Sequence, residues 1–371
     1  MDYEILRLIW WALLGLLLTA FAVMDGFDLG TAALLPFVAR TDEERRIAIN
    51  TVGPVWEANQ VWFIVGGGSI FAAWPPLYAA AFSGFYIAMF LVLATLILRP
   101  VAFKFRSKMH RPAWRSAWDW ALFAGGVVPS LVFGVAFGNL FQGVPFSYDS
   151  DLRFHSDITL WSLLNPFALV VGLTSLSMIV LHGAAWLNLK TDGIVQARAR
   201  KVIPAAALAF LLLFALAGLW LLHIDGYAVT SAAMRDGPSN PMLKSVARVS
   251  GGWLAGTGPW VAGAIAILAA AVAPVLRERP LAAFLSTALV PIGTIAAAGL
   301  ALFPFLMPSS SDPAASLTVW DASSSKLTLA VMLGATAILL PVIFAYTAFV
   351  YRVLRGPVRA QDIRGNSKSA Y

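Results

Sequence analysis

Three carboxylic acids stand in stretches of this chain where ionised groups are costly. Asp25 and Asp28 lie in the run Met24-Asp25-Gly26-Phe27-Asp28, flanked on both sides by apolar residues, and Glu57 opens the apolar run Trp56-Glu57-Ala58-Asn59-Gln60. Each such group in a membrane span costs on the order of 3 kcal/mol, so its presence calls for a reason. Spaced three apart, Asp25 and Asp28 share one helix face about a turn from each other, and Gln60 shares a face with Glu57. A carboxyl in a poorly solvated setting holds its protonated and ionised forms close in free energy, so it can accept a proton on one side and release it on the other. No Lys or Arg stands at obviously equal depth, and the three carboxyls read as a proton path. The structural alternatives are snorkelling of Asp25 and Asp28 to the interface, capping of kinks near Gly26 and Gly30, or pairing with Arg45 or Arg46.

Redox chemistry needs other ligands. Haem, copper or non-haem iron in a helical bundle takes imidazole, thiolate or thioether, and the chain has no Cys and only four His. His110, His155 and His223 fall in loops or at a span end; His182 lies inside a span near its cytoplasmic end, as a packing histidine or as the ligand of a five-coordinate haem. No metal-binding HExxH, haem-attachment, phosphate-loop, nucleophile-elbow or dinucleotide motif is present. Gly66-Gly67-Gly68 falls mid-span, where it cannot cradle phosphate.

The elements that carry these residues follow from composition. Of 371 residues 59% are hydrophobic and 12% charged, and the mean hydropathy is +0.77. That excludes a soluble globular chain, a disordered one, a collagen and a disulfide scaffold, leaving an all-α polytopic membrane protein. Crossing a hydrocarbon core of about 30 Å takes about 20 apolar residues. Nine stretches qualify: 8 to 37, 51 to 73, 77 to 98, 117 to 140, 162 to 187, 202 to 223, 257 to 276, 281 to 303 and 327 to 351. The first reads as a retained helix, since Asp2 and Glu4 precede it and it far exceeds a signal peptide's apolar region. With the N-terminus placed outside, twenty of the 26 Lys and Arg fall in cytoplasmic segments, including Arg40, Arg99, Lys190, Arg277 and Lys368. The predicted orientation is therefore N-terminus periplasmic and C-terminus cytoplasmic. On that basis Asp25 lies about 26 Å from the outer end of its span and Glu57 about 9 Å from the cytoplasmic face. The net charge of +7 is loop charge that sets orientation and does not indicate nucleic acid. No linker divides residues 1–371, which read as one helical domain. Trp10, Trp11, Trp74, Trp114, Trp118, Trp120 and Trp320 fall near span ends, where belt residues sit, and Gly134 and Gly138 form a GxxxG packing pair.

Specific strings narrow the reading. Phe21-Ala22-Val23-Met24-Asp25-Gly26-Phe27-Asp28, Trp56-Glu57-Ala58-Asn59-Gln60-Val61-Trp62, Arg99-Pro100-Val101, Gly134-Val135-Ala136-Phe137-Gly138-Asn139, Gln142-Gly143-Val144-Pro145-Phe146 and Trp320-Asp321-Ala322-Ser323-Ser324 resemble, in order along essentially the whole chain, subunit II of the cytochrome bd-type quinol oxidases. The resemblance implies a terminal respiratory oxidase of the prokaryotic cytoplasmic membrane that oxidises quinol and reduces O2 to water. It implies that the haems, b and d or b alone, sit in a partner subunit I. This chain would then be a haem-free nine-span subunit that completes the complex and contributes cytoplasmic proton uptake. A small single-span accessory subunit, membrane lipid and, in some members, a quinone held between helices of this subunit belong to the same expectation. Asp25, Asp28 and Glu57 match acidic positions of the family, although familiar members carry aspartate where Glu57 stands, which shifts the carboxyl by one methylene. A proton-coupled membrane transporter using the same carboxyls, or a scaffold with no proton role, are the other readings; Pro166, Pro204 and Pro291 offer kinks, but no inverted repeat is evident.

Overall fold

The structure, a computed structural model, describes residues 1–231 and 235–365; Lys368 lies outside them. The chain opens with α1 (Tyr3–Val38) and the amphipathic α2 (Asp42–Val52), followed by α3 (Trp56–Ala73). Next come α4 (Pro75–Gly84), α5 (Tyr86–Leu96) and α6 (Leu98–Phe105), then α7 (Pro112–Gln142). After the short α8 (Leu160–Leu163) follow α9 (Pro166–Lys190), α10 (Gly193–Leu221), α11 (Thr257–Val272), α12 (Pro280–Leu302), α13 (Lys326–Val353) and α14 (Ala360–Gly365). Among the described residues seven helical stretches are long and apolar enough to cross a membrane: α1, the run Tyr86–Lys108, α7, α9, α10, α12 and α13.

Two expected spans differ from that standard. The stretch 51 to 73 becomes α3, which begins only at Trp56 because α2 runs to Val52 and the chain turns through Gly53, Pro54 and Val55. The stretch 257 to 276 becomes α11, 16 residues long. The stretch 77 to 98 is realised as α4 and α5 with a break at Phe85, and a further break at Ile97 leads into α6. Pro100 has no N–H to give the carbonyl of Leu96 four residues back, so the helix loosens there. Three antiparallel ribbons were not legible in the sequence: β1 (Phe146–Tyr148) with β2 (Phe154–Ser156), β3 (Gly226–Val229) with β4 (Val246–Val249), and β5 (Phe305–Met307) with β6 (Leu317–Thr318).

All three ribbons lie at the end of the bundle where α1 starts. There Arg7, fully buried, donates to Ser323 Oγ at 2.7 Å and to the carbonyls of Arg235 at 2.6 Å and Gly237 at 3.0 Å. Trp10 donates to the Leu329 carbonyl and Trp74 to the Val319 carbonyl; both, like Trp320, are buried anchors of this end and not belt residues. At the opposite end Asp119 binds Arg45 at 2.7 Å and Arg106 at 2.5 Å, and Asp42 binds Arg106 and Arg115.

The long helices meet through glycine. At Gly30 a Cβ would lie 2.2 Å from the Ile179 carbonyl oxygen and 2.8 Å from Gly183 Cα, so α1 and α9 touch backbone to backbone. A Cβ at Gly126 would meet the Leu29 carbonyl at 2.4 Å, which brings α7 equally close to α1. Gly134 and Gly138 pack α7 on Val171 and Ala168 of α9, the close approach that small residues permit where no hydrophobic drive joins helices. Gly67 and Gly68 have nothing within 4 Å of their Cβ positions among the described residues.

Candidate functional site

The glycine contacts hold α1 against α7 and α9, and its buried carboxyls meet side chains of α6 and α3. Asp25 is wholly buried, and its partner is Arg99. The two guanidinium nitrogens NH1 and NH2 donate to Oδ2 at 2.9 Å and to Oδ1 at 2.8 Å, a bidentate pair between two fully enclosed side chains. This corrects the expectation that no cation stands level with the carboxyls; of the alternative partners, Arg45 is held by Asp119. Arg99 follows the break at Ile97, and its stem passes over Gly125 of α7, where a Cβ would lie 2.9 Å from Arg99 Cγ.

One turn along, Asp28 is 1% exposed. Its Oδ2 accepts a hydrogen bond from Asn59 Nδ2 on α3 at 2.8 Å, and Asn59 Oδ1 accepts one from the Tyr351 hydroxyl on α13, also at 2.8 Å. Asp28 Oδ1, Thr31 Oγ1 and Arg99 Nε are buried and make no hydrogen bond to the described residues.

Glu57 does not join this group. It is exposed on the surface of the chain, while Asn59, two residues on and about 200° around the helix, turns inward. The expectation that three carboxyls gather is therefore corrected: two carboxyls stand with one arginine, one asparagine and one tyrosine. Gln60, paired with Glu57 in the sequence reading, is half-buried.

Beyond Asp28 an aromatic row continues inward. The ring of Tyr351 stands edge-on to Phe27 and Trp186, Phe27 stacks on Trp186 at 4.0 Å, and Phe284 joins that pair to His182, on which it stacks at 4.9 Å. His182 is fully buried, with Nε2 3.0 Å from the Val23 carbonyl and Nδ1 3.0 Å from Thr287 Oγ1. The carbonyl can only accept, so Nε2 carries the proton and Nδ1 faces the hydroxyl.

Shifted titrations mark the two ends of the bundle. Burial pushes the Lys244 ammonium down, opposed by Asp321 at 2.8 Å, and burial together with the Asp321 charge pushes Tyr148 up to about 12. For Glu44 burial works toward a higher value, but it is outweighed by the N–H groups of Arg40 and Thr41 and by the Arg198 guanidinium at 2.7 Å, and the carboxyl is held below its usual range.

The family described as Cytochrome bd terminal oxidase subunit II matches this chain over residues 6–354. The chain belongs to that family. It is 48% identical over 381 residues to cytochrome bd-I ubiquinol oxidase subunit 2 of Escherichia coli strain K12, and 48% identical over 376 residues to the probable cytochrome oxidase subunit 2 of Haemophilus influenzae; each match covers 100% of both chains. Among solved structures, the bd oxidase of Geobacillus thermodenitrificans matches with a TM-score of 0.68, covering 94% of this chain and 98% of that one at 16% identity, which bears on the fold alone.

A subunit II of a bd terminal oxidase works beside haem, so the fit of haem to this chain matters. His182 does not fit it: Nε2 gives its proton to the Val23 carbonyl, Thr287 Oγ1 stands 3.0 Å in front of Nδ1, and Phe284 stacks on the ring, so neither nitrogen has room for an axial bond. Among the described residues no group of three or more His, Cys, Asp or Glu comes together as a metal site. The sequence reading missed Arg99, Asn59 and Tyr351. The signal for Arg99 was its position directly after the apolar run ending at Leu98, level with the end of the first span rather than in the loop beyond.

Proposed function

We propose that this chain is the haem-free subunit II of a quinol-oxidising terminal oxidase in a prokaryotic cytoplasmic membrane. In this reading it crosses the membrane nine times, with α3 and α11 as the two shorter crossings, N-terminus outside and C-terminus inside. It completes the complex with a haem-carrying subunit I and takes up protons from the cytoplasm through Asp25, Asp28 and Glu57. The observation that carries the reading is the enclosed Asp28 beside a fully neutralised Asp25–Arg99 pair, within a chain of this family. Asp25 spends both oxygens on the guanidinium, so Asp28 is the carboxyl with an oxygen to spare for a proton. Glu57 faces outward, where lipid would cost it on the order of 3 kcal/mol. A partner subunit covering that face of α3 removes the cost and lets the path pass from this chain into the partner. Taking the protons for water from inside places the membrane potential behind the reaction at about 2.3 kcal/mol per charge per 100 mV. A quinone held by this subunit would find its place in an apolar cavity of about 1020 Å³ between α1, α3, α5, α7 and α12.

The test uses the complete oxidase purified with its partners. Glu57→Gln and Asp28→Asn each remove a titrating group while keeping shape. Haem content, read from the reduced-minus-oxidised spectrum, should match that of the unaltered complex, while quinol-driven O2 uptake falls at least several-fold. Full turnover in both variants would leave the carboxyls without a proton role, and a haem signal from the chain expressed alone would overturn its haem-free assignment.

A further inference from the structure

The two oxygens of Asp28 stand in different surroundings. Oδ2 accepts from Asn59 Nδ2, whereas Oδ1 makes no hydrogen bond to the described residues although it is buried. Asn59 is itself 1% exposed and has its own constraint. Its amide offers one acceptor atom and one donor group, and the acceptor is taken by the Tyr351 hydroxyl, which is given no other acceptor among the described residues. With Tyr351 donating, the amide has to turn its NH2 toward Asp28. A proton on Oδ2 would then point at an N–H proton, so Oδ2 is kept as an acceptor in both states of the carboxyl.

We propose that Asp28 takes up and releases its proton at Oδ1 alone, and that Tyr351, acting through Asn59, is the positioning residue that enforces this choice. The inference rests on the proton-uptake reading above and adds the atom at which it occurs. On uptake an O–H bond forms at Oδ1, while the bonds from Asn59 and Tyr351 stay as they are; on release the same O–H bond breaks and the proton passes to the next acceptor. The surrounding groups agree with this division. Arg99, from α6, neutralises Asp25, whose carboxyl stands one turn back on α1 and directly beside that of Asp28, α3 contributes Asn59, α13 contributes Tyr351, and His182 of α9 is separated from Asp28 by the aromatic row. Thr31, three residues along α1 and on the same face, carries the other buried side-chain oxygen of that helix that makes no hydrogen bond to the described residues.

Infrared difference spectra of the complete oxidase, taken between oxidised and reduced states, read the C=O stretch of protonated carboxyls. The Asp28 band is the one lost in Asp28→Asn. In the unaltered enzyme its C=O is Oδ2, lowered in frequency by the Asn59 hydrogen bond. Tyr351→Phe frees the amide to turn its oxygen toward Asp28, so the proton moves to Oδ2, the C=O becomes the unbonded Oδ1, and the band shifts upward. If Tyr351→Phe does not assemble with haem, Asn59→Leu removes the same donor and should shift the band the same way. A band lost in Asp28→Asn but unmoved in the assembled variant would overturn the assignment to Oδ1 and leave proton uptake through Asp28 standing. The absence of any band lost in Asp28→Asn would remove both.

Discussion

Replacing Arg99 by glutamine takes the cation from a pair in which neither side chain reaches solvent. With two N–H donors at 2.8 and 2.9 Å the charge centres lie about 4 Å apart, which is worth about 4 kcal/mol at an effective dielectric constant of 20. Glutamine returns at best one neutral hydrogen bond, about 1 kcal/mol net, and leaves Asp25 ionised beside Asp28 without a counter-charge. The net loss should be about 3–5 kcal/mol, as for other buried pairs broken on one side. Asp25→Asn should cost a similar amount, because it strands the guanidinium. The double variant Asp25→Asn with Arg99→Gln buries two neutral amides and should recover most of what either single change loses. Unfolding midpoints of the purified complex in denaturing detergent, with haem retention on heating as a second readout, close the cycle. A coupling energy below about 1 kcal/mol, or single variants as stable as the unaltered complex, would refute the claim that this pair is enclosed and mutually dependent.

Two further outcomes follow from contacts away from the carboxyls. Gly30→Ala places a Cβ against backbone atoms of Ile179 and Gly183 that have nowhere to move, so α1 and α9 part and the complex should not accumulate with haem; Gly67→Ala, with nothing within 4 Å, should leave accumulation unchanged, and equal behaviour of the two would remove the close crossing. Glu44 has a native value lowered below its ordinary 4.5, so its charge stabilises the fold in full above that ordinary value, and the contribution is lost as pH falls through the lowered one. Thermal melts of the complex should therefore show Glu44→Gln less stable at pH 7, by on the order of 1 kcal/mol or less, with the gap closing in acid; a gap that persists there would assign the effect to packing instead.

The long spans were legible because a bilayer imposes one length and one composition on every helix that crosses it, and α1, α7, α9, α10, α12 and α13 obey both. Asp25 and Asp28 stood out for the same reason. Arg99 did not, since a cation next to Pro100 at the end of an apolar run reads as the first charge of a loop. Glu57 and Asn59 were weighed by charge alone. Which of them faces inward depends on where α3 begins, and the turn at Gly53, Pro54 and Val55 sets that phase. Tyr351 reaches Asn59 across 292 residues, a pairing no local pattern can announce. The ribbons are strands of two to four residues, too short for an alternation to show.

Arg7 gives the order of synthesis a structural meaning. It leaves the ribosome with the first helix, yet its hydroxyl partner Ser323 lies 316 residues later. At about 5–20 residues per second that is a wait of roughly 15 to 60 seconds. The carbonyls of Arg235 and Gly237 reach its two terminal nitrogens earlier, 228 and 230 residues on, but until the turn before α13 has been made the Nε donor lacks its Ser323 partner and is left to water or lipid headgroups. A nascent chain cut short before that turn thus carries an incompletely paired guanidinium at its first helix. Finished and unfinished copies of this subunit consequently differ at their very beginning, in a form that a membrane protease or an assembling partner can sense.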